Sequence, residues 1–401
     1  MLDTHALSKS LRVFIILFFG WFLSACNYLN NLLESATTAE SQKQSVILNF
    51  AVAPNVAWMP WFLANEERIF QQYTNTYGVN IQFVTDEYRE TISKYVGQEV
   101  DAVAITNIDA IAQLVKQGID TDAVLITSYS NGNEAILVSP QADTNALKLR
   151  GKTFALVKFS ARHYLLDRYL IRGQIPFDDV QIRDIPEADV PTAFADKDVY
   201  GVVANNPNIA RLIKDQNAKL LFDSREIPQE ILDMVVVRRE VLEAHPEVAQ
   251  ALLASWFSIM DRLQGNKRSS TLDAMARLAG LSREDFEKQL ISVTLNDTST
   301  KALSAIRDRS RLRKTLRHIR YFIERHSLSG EEPFQSWVSF AGRTPGSLHF
   351  NAQPLQDFVT PVKAKAKQYT KRPDTTTTAS PEEEKKNGDN KKKLEKPDNR
   401  N

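Results

Sequence analysis

From residue 46 onward, short aliphatic and β-branched runs alternate with amphipathic stretches, and this alternation limits the possible folds more than any single motif does. VILNFAV (46–52), VNIQFV (79–84), VDAVAI (100–105) and DAVLIT (122–127) predict strands, and the stretches between them predict helices at 61–73, 87–96 and 108–117. Runs that are apolar on nearly every residue belong to strands covered on both faces. Helices between such strands make right-handed crossovers, so the pattern predicts open, mostly parallel α/β sheets. A second block repeats it: TFALV (153–157), a helix over 161–172, VQIRDI (180–185), a helix over 189–195, VYGVVA (199–204), a helix over 207–214 and AKLLF (218–222). Two more strand-like runs, NEAILVS (133–139) and EILDMVVVR (230–238), read as crossings between two lobes. From about 241 to 326 the chain reads as helical, with Leu252, Trp256 and Met260 at spacing four. The resulting division is a first lobe from 45–132 and 234–360, carrying C-terminal helices, and a second lobe with the hinge crossings from 133–233.

A length of 401 residues fits two or three domains. With 43% hydrophobic and 25% charged residues, a fibrous or polytopic membrane protein does not fit. A net charge of +1 argues against binding nucleic acid through a strongly basic surface. Cys26 is the sole cysteine, so an intramolecular disulfide and a zinc site of several thiolates are both excluded. Lys9 and Arg12 precede the apolar run VFIILFFGWFL (13–23), then Ser24, Ala25 and Cys26: a charged start, a hydrophobic middle and a small-residue cleavage region. The run is too short for a spanning helix, so residues 1–25 read as an export signal. LSAC resembles a bacterial lipobox, which makes Cys26 the expected lipidation site and places the protein on the periplasmic side of a membrane, inner or outer, held by acyl chains. Residues 26–44 read as a spacer. The basic tail 361–401 has too few apolar residues to offset its ordering entropy and is expected to be disordered.

Two α/β lobes joined by two strands and exported on a lipid anchor describe a solute-binding protein. In open α/β sheets ligands sit beyond the carboxyl ends of the strands, so candidate ligand-binding residues are those just after each run. Trp58 can offer its face to a planar or cationic solute or simply pack on the sheet. Asp86 and Tyr88 follow the second strand. Thr106, Asn107 and Asp109 open the helix after the third, where Thr106 or Asn107 is equally an ordinary N-cap. Asn131 stands at the first crossing. Ser160 and His163 open the helix after TFALV; Ser160 also suits an N-cap, and no G-x-S-x-G elbow supports a hydrolase. Asn205 follows VYGVVA, and Asp233 lies in the second crossing. Asp86, Asp109 and Asp233 could meet a guanidinium, and Thr106 and Asn107 supply acceptors for urea. No catalytic residue, metal site or cofactor is expected.

Several strings in order, VAWMPWFLA, TNIDA, SYSNGNEAIL, SARHYLL, NNP, FDSREIPQEILDMVVV and AHPEVAQALLASW, carry a family likeness. On them the body from about Ser45 to Val359 resembles the substrate-binding proteins of nitrate/sulfonate/taurine-type ABC transporters, most of all the branch of urea and guanidine binders. The resemblance implies a two-lobed, type II periplasmic-binding-protein-like fold without enzymatic activity. It also implies a monomer that passes a small nitrogen-rich solute to an ABC permease and its ATPase. Ala204-Asn205-Asn206-Pro207 stands where relatives carry Thr-Trp-Asn-Pro, and Arg162 puts a positive group near the expected cleft. These departures keep open a sensing or scaffold lipoprotein of the same fold.

Overall fold

The structure is a computed structural model that describes residues 45–145, 148–328, 337–340 and 343–360. The expected leader, Cys26, the spacer and the charged tail all lie outside the described residues. No described helix is long and apolar enough to cross a membrane.

Thirteen strands form two sheets among the described residues. The first sheet holds β1 (Val46–Ala51), β2 (Val79–Val84), β3 (Ala102–Thr106) and β4 (Thr121–Ser130). The second is made of β5 (Glu134–Val138), β6 (Lys152–Leu156), β7 (Val180–Asp184), β8 (Gly201–Asn205) and β9 (Lys219–Asp223). The chain then returns to the first sheet with β10 (Leu232–Arg238), β11 (Val293–Leu295), β12 (Val338–Phe340) and β13 (Leu348–Phe350). The first sheet runs β12-β13-β4-β10-β3-β1-β2 with β11 beside β4, and the second runs β7-β6-β8-β5-β9.

Both sheets are mixed, whereas the alternation predicts mostly parallel ones. The difference lies in the two runs expected to be crossings. NEAILVS becomes β5, antiparallel to β8 and β9, and EILDMVVVR becomes β10, antiparallel to β3 and β4. Both are buried along their whole length, as their apolar sequences require. The segment expected as one helix over 61–73 is broken into Met59–Glu66 and Ile69–Tyr77 by Arg68 in the left-handed region, φ 56°. The helix expected over 108–117 begins as Asn107–Asp109, widens into a π-turn at Ala110–Leu114 and tightens into a 3₁₀ turn at Val115–Gln117.

The helix Glu247–Gln264 covers the first sheet, where the Trp256 ring lies 4.9 Å from that of Trp61, itself 5.0 Å from Phe50. The helix Ala161–Arg172 covers the second sheet and starts at Ser160, whose hydroxyl accepts from the Arg162 N–H at 3.2 Å. The helix Arg309–Arg325 spans both halves. Its Arg313 guanidinium lies 6.0 Å from the Phe340 ring of β12, while its Phe322 packs on Tyr164 and His163 of the helix Ala161–Arg172. Arg325 of the same helix pairs with the buried carboxylate of Asp167. Below it, Arg168 grips Glu230 in a bidentate pair at 2.7 and 3.0 Å.

Candidate ligand-binding cleft

A cavity of about 400 Å³ opens where the carboxyl ends of the parallel strands of both sheets meet. Ala53, Pro54, Asn55 and Trp58 follow β1, Glu87 and Tyr88 follow β2, and Thr106 ends β3. From the second sheet, Val157 follows β6, Pro186 to Ala188 follow β7, and Asn205 ends β8. The antiparallel strands add two acids at the same edge. Register places Asp233 of β10 opposite Thr106 and Glu134 of β5 opposite Asn205.

Trp58 and Tyr88 form the aromatic wall, with ring centroids 5.4 Å apart. The Trp58 Nε1 has no hydrogen-bond partner. The Tyr88 hydroxyl accepts from the Thr106 N–H at 3.1 Å, and the Thr106 hydroxyl donates to Asp109 Oδ2 at 2.6 Å. Burial raises the Asp109 pKa, against the opposing pull of the Thr106 hydrogen bond and of Arg162. Asp233 accepts from the Ser128 hydroxyl at 2.6 Å. Burial, reinforced by the neighbouring charge of Glu134, pushes Asp233 up to about 7. Burial also raises Glu134, whose Oε2 lacks a partner.

Arg162 is buried among these acids with only 4% of its surface exposed. Its Nη2 lies 3.2 Å from Glu187 Oε2, and its guanidinium sits 5.6 Å from the Tyr88 ring. With the Asn205 amide oriented to satisfy both neighbours, its oxygen accepts from Arg162 at 2.5 Å and its nitrogen donates to Glu187 at 2.6 Å. Burial by itself would lower the guanidinium's pKa, but the carboxylates of Glu187, Glu134 and Asp109 outweigh it and hold Arg162 above its usual range.

Of the residues expected from sequence, Trp58, Tyr88, Thr106, Asn205 and Asp233 come together around this cavity. The others do not line it. Asp86 pairs with Lys94 at 3.3 Å and accepts from the Glu87 N–H, closing the start of the next helix. The Asn107 amide ties the backbone of Glu230 and Leu232, so it serves the second crossing. Asp109 stands behind Thr106, one layer from the cavity. Asn131 belongs to a separate groove and bonds Ser292 through its backbone. Ser160 caps its helix, its hydroxyl donating to the Val157 carbonyl at 2.7 Å. His163 turns away into an aromatic cluster with Phe322 and His326, whose ring centroids lie 5.1 and 4.2 Å away.

Sequence reasoning did not count Glu134, Glu187 or Arg162 among the ligand-binding residues. Glu134 carried a legible signal, a lone carboxylate opening a run of buried aliphatic residues. Glu187 carried none, because its place depends on how far the loop after β7 reaches toward Arg162. Among the described residues no group of three or more histidines, cysteines, aspartates or glutamates is arranged to hold a metal ion.

Two mixed α/β sheets whose strand ends meet at one cleft, lined by aromatic and charged side chains, define the periplasmic-binding-protein type II fold. Solved structures agree. The alkanesulfonate-binding protein SsuA from Xanthomonas axonopodis pv. citri, bound to MOPS, matches with a TM-score of 0.60 at 18% identity, covering 72% of this chain and 96% of that one. A Candida albicans protein described as exhibiting the generic periplasmic binding protein structural fold matches with a TM-score of 0.56 at 13% identity, covering 72% and 92%. In sequence, the taurine-binding periplasmic protein of Escherichia coli (strain K12) is 24% identical over 264 residues, 64% of this chain and 80% of that protein. The model of the NMT1-like family matches residues 41–280, and the chain belongs to that family.

Proposed function

We propose that this protein is the extracytoplasmic solute-binding component of an ABC importer. In this reading it is held at the membrane by lipid on Cys26 and captures a small nitrogen-rich solute of urea or guanidine character. The observation that carries the proposal is the pair of carboxylates that converge on one cavity, one from each sheet: Glu134 and Asp233. N–H groups of a solute meet carboxylates there, and charge-assisted hydrogen bonds of this kind are stronger than neutral ones. Trp58 and Tyr88 offer a flat face for a planar or cationic group. Membership of the NMT1-like family, and the taurine-binding function in the name of the Escherichia coli relative, support solute capture for import. Delivery then requires a membrane permease and an ATPase, and no step needs bond chemistry in the protein.

Isothermal titration and thermal melting against urea, guanidinium, substituted guanidines, amidines, taurine, alkanesulfonates and nitrate test the reading. A nitrogen-rich member that binds at micromolar concentration and raises the melting temperature is the expected result. Binding of sulfonates or nitrate alone would replace the solute class, and silence across the panel would remove the transport reading for all of these solutes.

A further inference from the structure

Arg162 departs from the acidic character of everything around it. Its guanidinium reaches Glu187 and Asn205 of the second-sheet half and lies over Tyr88 of the first-sheet half, within the field of Glu134, Asp109 and Asp233. This cation lies 5.6 Å from the centre of an aromatic ring and sets its Nη2 on a carboxylate and an amide oxygen, while its Nε finds no hydrogen-bond partner. A free guanidinium could use the same ring, carboxylate and amide oxygen.

We propose that the cleft contains a guanidinium-binding niche, walled by Tyr88, Glu187 and Asn205, which the chain fills with its own Arg162. The side chain joins the two halves of the cleft and stands in for a cation there. This rests on the proposed solute-binding role and narrows it. The native solute occupies the cavity of about 400 Å³ that remains beside Arg162. A bare guanidinium or urea takes roughly twice the ~30 Å³ that one water occupies in the liquid, and so would leave most of that space empty. The remaining space therefore admits a substituted, larger nitrogen-bearing molecule. Its N–H groups face Glu134 and Asp233, and its body lies along Trp58, Pro186 and Pro207.

The test is chemical rescue. Arg162→Gly deletes the side chain and leaves the niche empty. Millimolar guanidinium or methylguanidinium chloride, compared with sodium chloride at equal ionic strength, is expected to raise the melting temperature of this variant by several degrees in a saturable way. Wild type, whose niche is full, should show no saturable rise with either ion. Urea, which lacks the charge, should rescue poorly. If Arg162→Gly does not fold alone, guanidinium in the refolding buffer is expected to restore its circular dichroism, and Arg162→Lys, which keeps the charge without the planar fork, should refold only partly. A variant indifferent to guanidinium, or a wild type stabilised as strongly as the variant, overturns the proposal. Because rescue is read without the native solute, it can succeed while the solute panel fails, and the reverse.

Discussion

Asn205 stands directly across the β5–β8 ladder from Glu134, and Asp233 stands in the same relation to Thr106 across β10 and β3. In each sheet the last residue of a parallel strand faces an acid at the amino end of an antiparallel neighbour. Backbone pairing thus fixes where these two carboxylates sit, while Arg162 and Glu187 are placed by a helix and a loop.

Glu134→Gln keeps the shape and removes the charge. A hydrogen bond to a charged group is worth about 1.5–3 kcal/mol, so affinity for a nitrogen-rich solute should fall at least tenfold in isothermal titration. The melting temperature without solute should stay level or rise, because burial already disfavours the ionised form. Unchanged affinity would take Glu134 out of the recognition set.

Asp233 gives the cleft a pH dependence. Its folded pKa is raised from 3.8 to about 7, so between pH 4 and 7 the folded protein holds a proton that the unfolded chain has released. Stability should therefore decline as pH climbs through that span, each tenfold difference in proton affinity being worth about 1.4 kcal/mol, and level off above 7. Asp233→Asn should flatten the decline in urea denaturation. A cationic solute would expel the proton near pH 7, so the binding enthalpy should vary with the ionisation heat of the buffer. Parallel pH profiles for wild type and variant would contradict this.

His163 acts in the opposite sense. Burial, with His326 and Lys158 nearby, depresses its pKa to about 2, and His326 is lowered to about 4. The unfolded chain takes up these protons near pH 6.5, so stability is lost as the pH falls below that value. His163→Gln, which keeps an acceptor for the Phe159 N–H, should make the acid limb of the stability profile visibly shallower. Equal slopes would show that His163 is accessible to protons in the folded state.

Gly201 opens β8 at a close crossing. A Cβ there would lie 2.8 Å from the Leu137 carbonyl oxygen and 2.9 Å from Val138 Cγ1. Since the first obstacle is backbone, Gly201→Ala should destabilise by about 1–3 kcal/mol, measured as a lower denaturation midpoint with an unchanged slope. A neutral effect would mean that β5 and β8 can part without cost.

The legible parts of the fold were those with strong local period. VNIQFV forms the strand Val79–Val84 as its alternation predicts, and the helix Ala161–Arg172 begins after the serine that caps it. The three-residue strands β11, β12 and β13 were not legible, because so short a stretch shows no period and its pairing depends on a distant partner. The break at Arg68 was hidden too, since no glycine marks that left-handed residue. At the site, loop-end residues such as Trp58 and Asn205 follow from strand order alone. Glu134 required knowing that NEAILVS is an antiparallel strand, and Arg162 required knowing that the halves meet over its helix.

The helix Arg309–Arg325 touches Phe340 on one side and Tyr164 on the other, so the two halves are braced by more than the pair of strands passing between them. A jaw with such a strut cannot gape freely. Any hinge motion between the halves would have to lift Phe322 off Tyr164 and His163, so this one helix sets how stiffly the two sheets are held together.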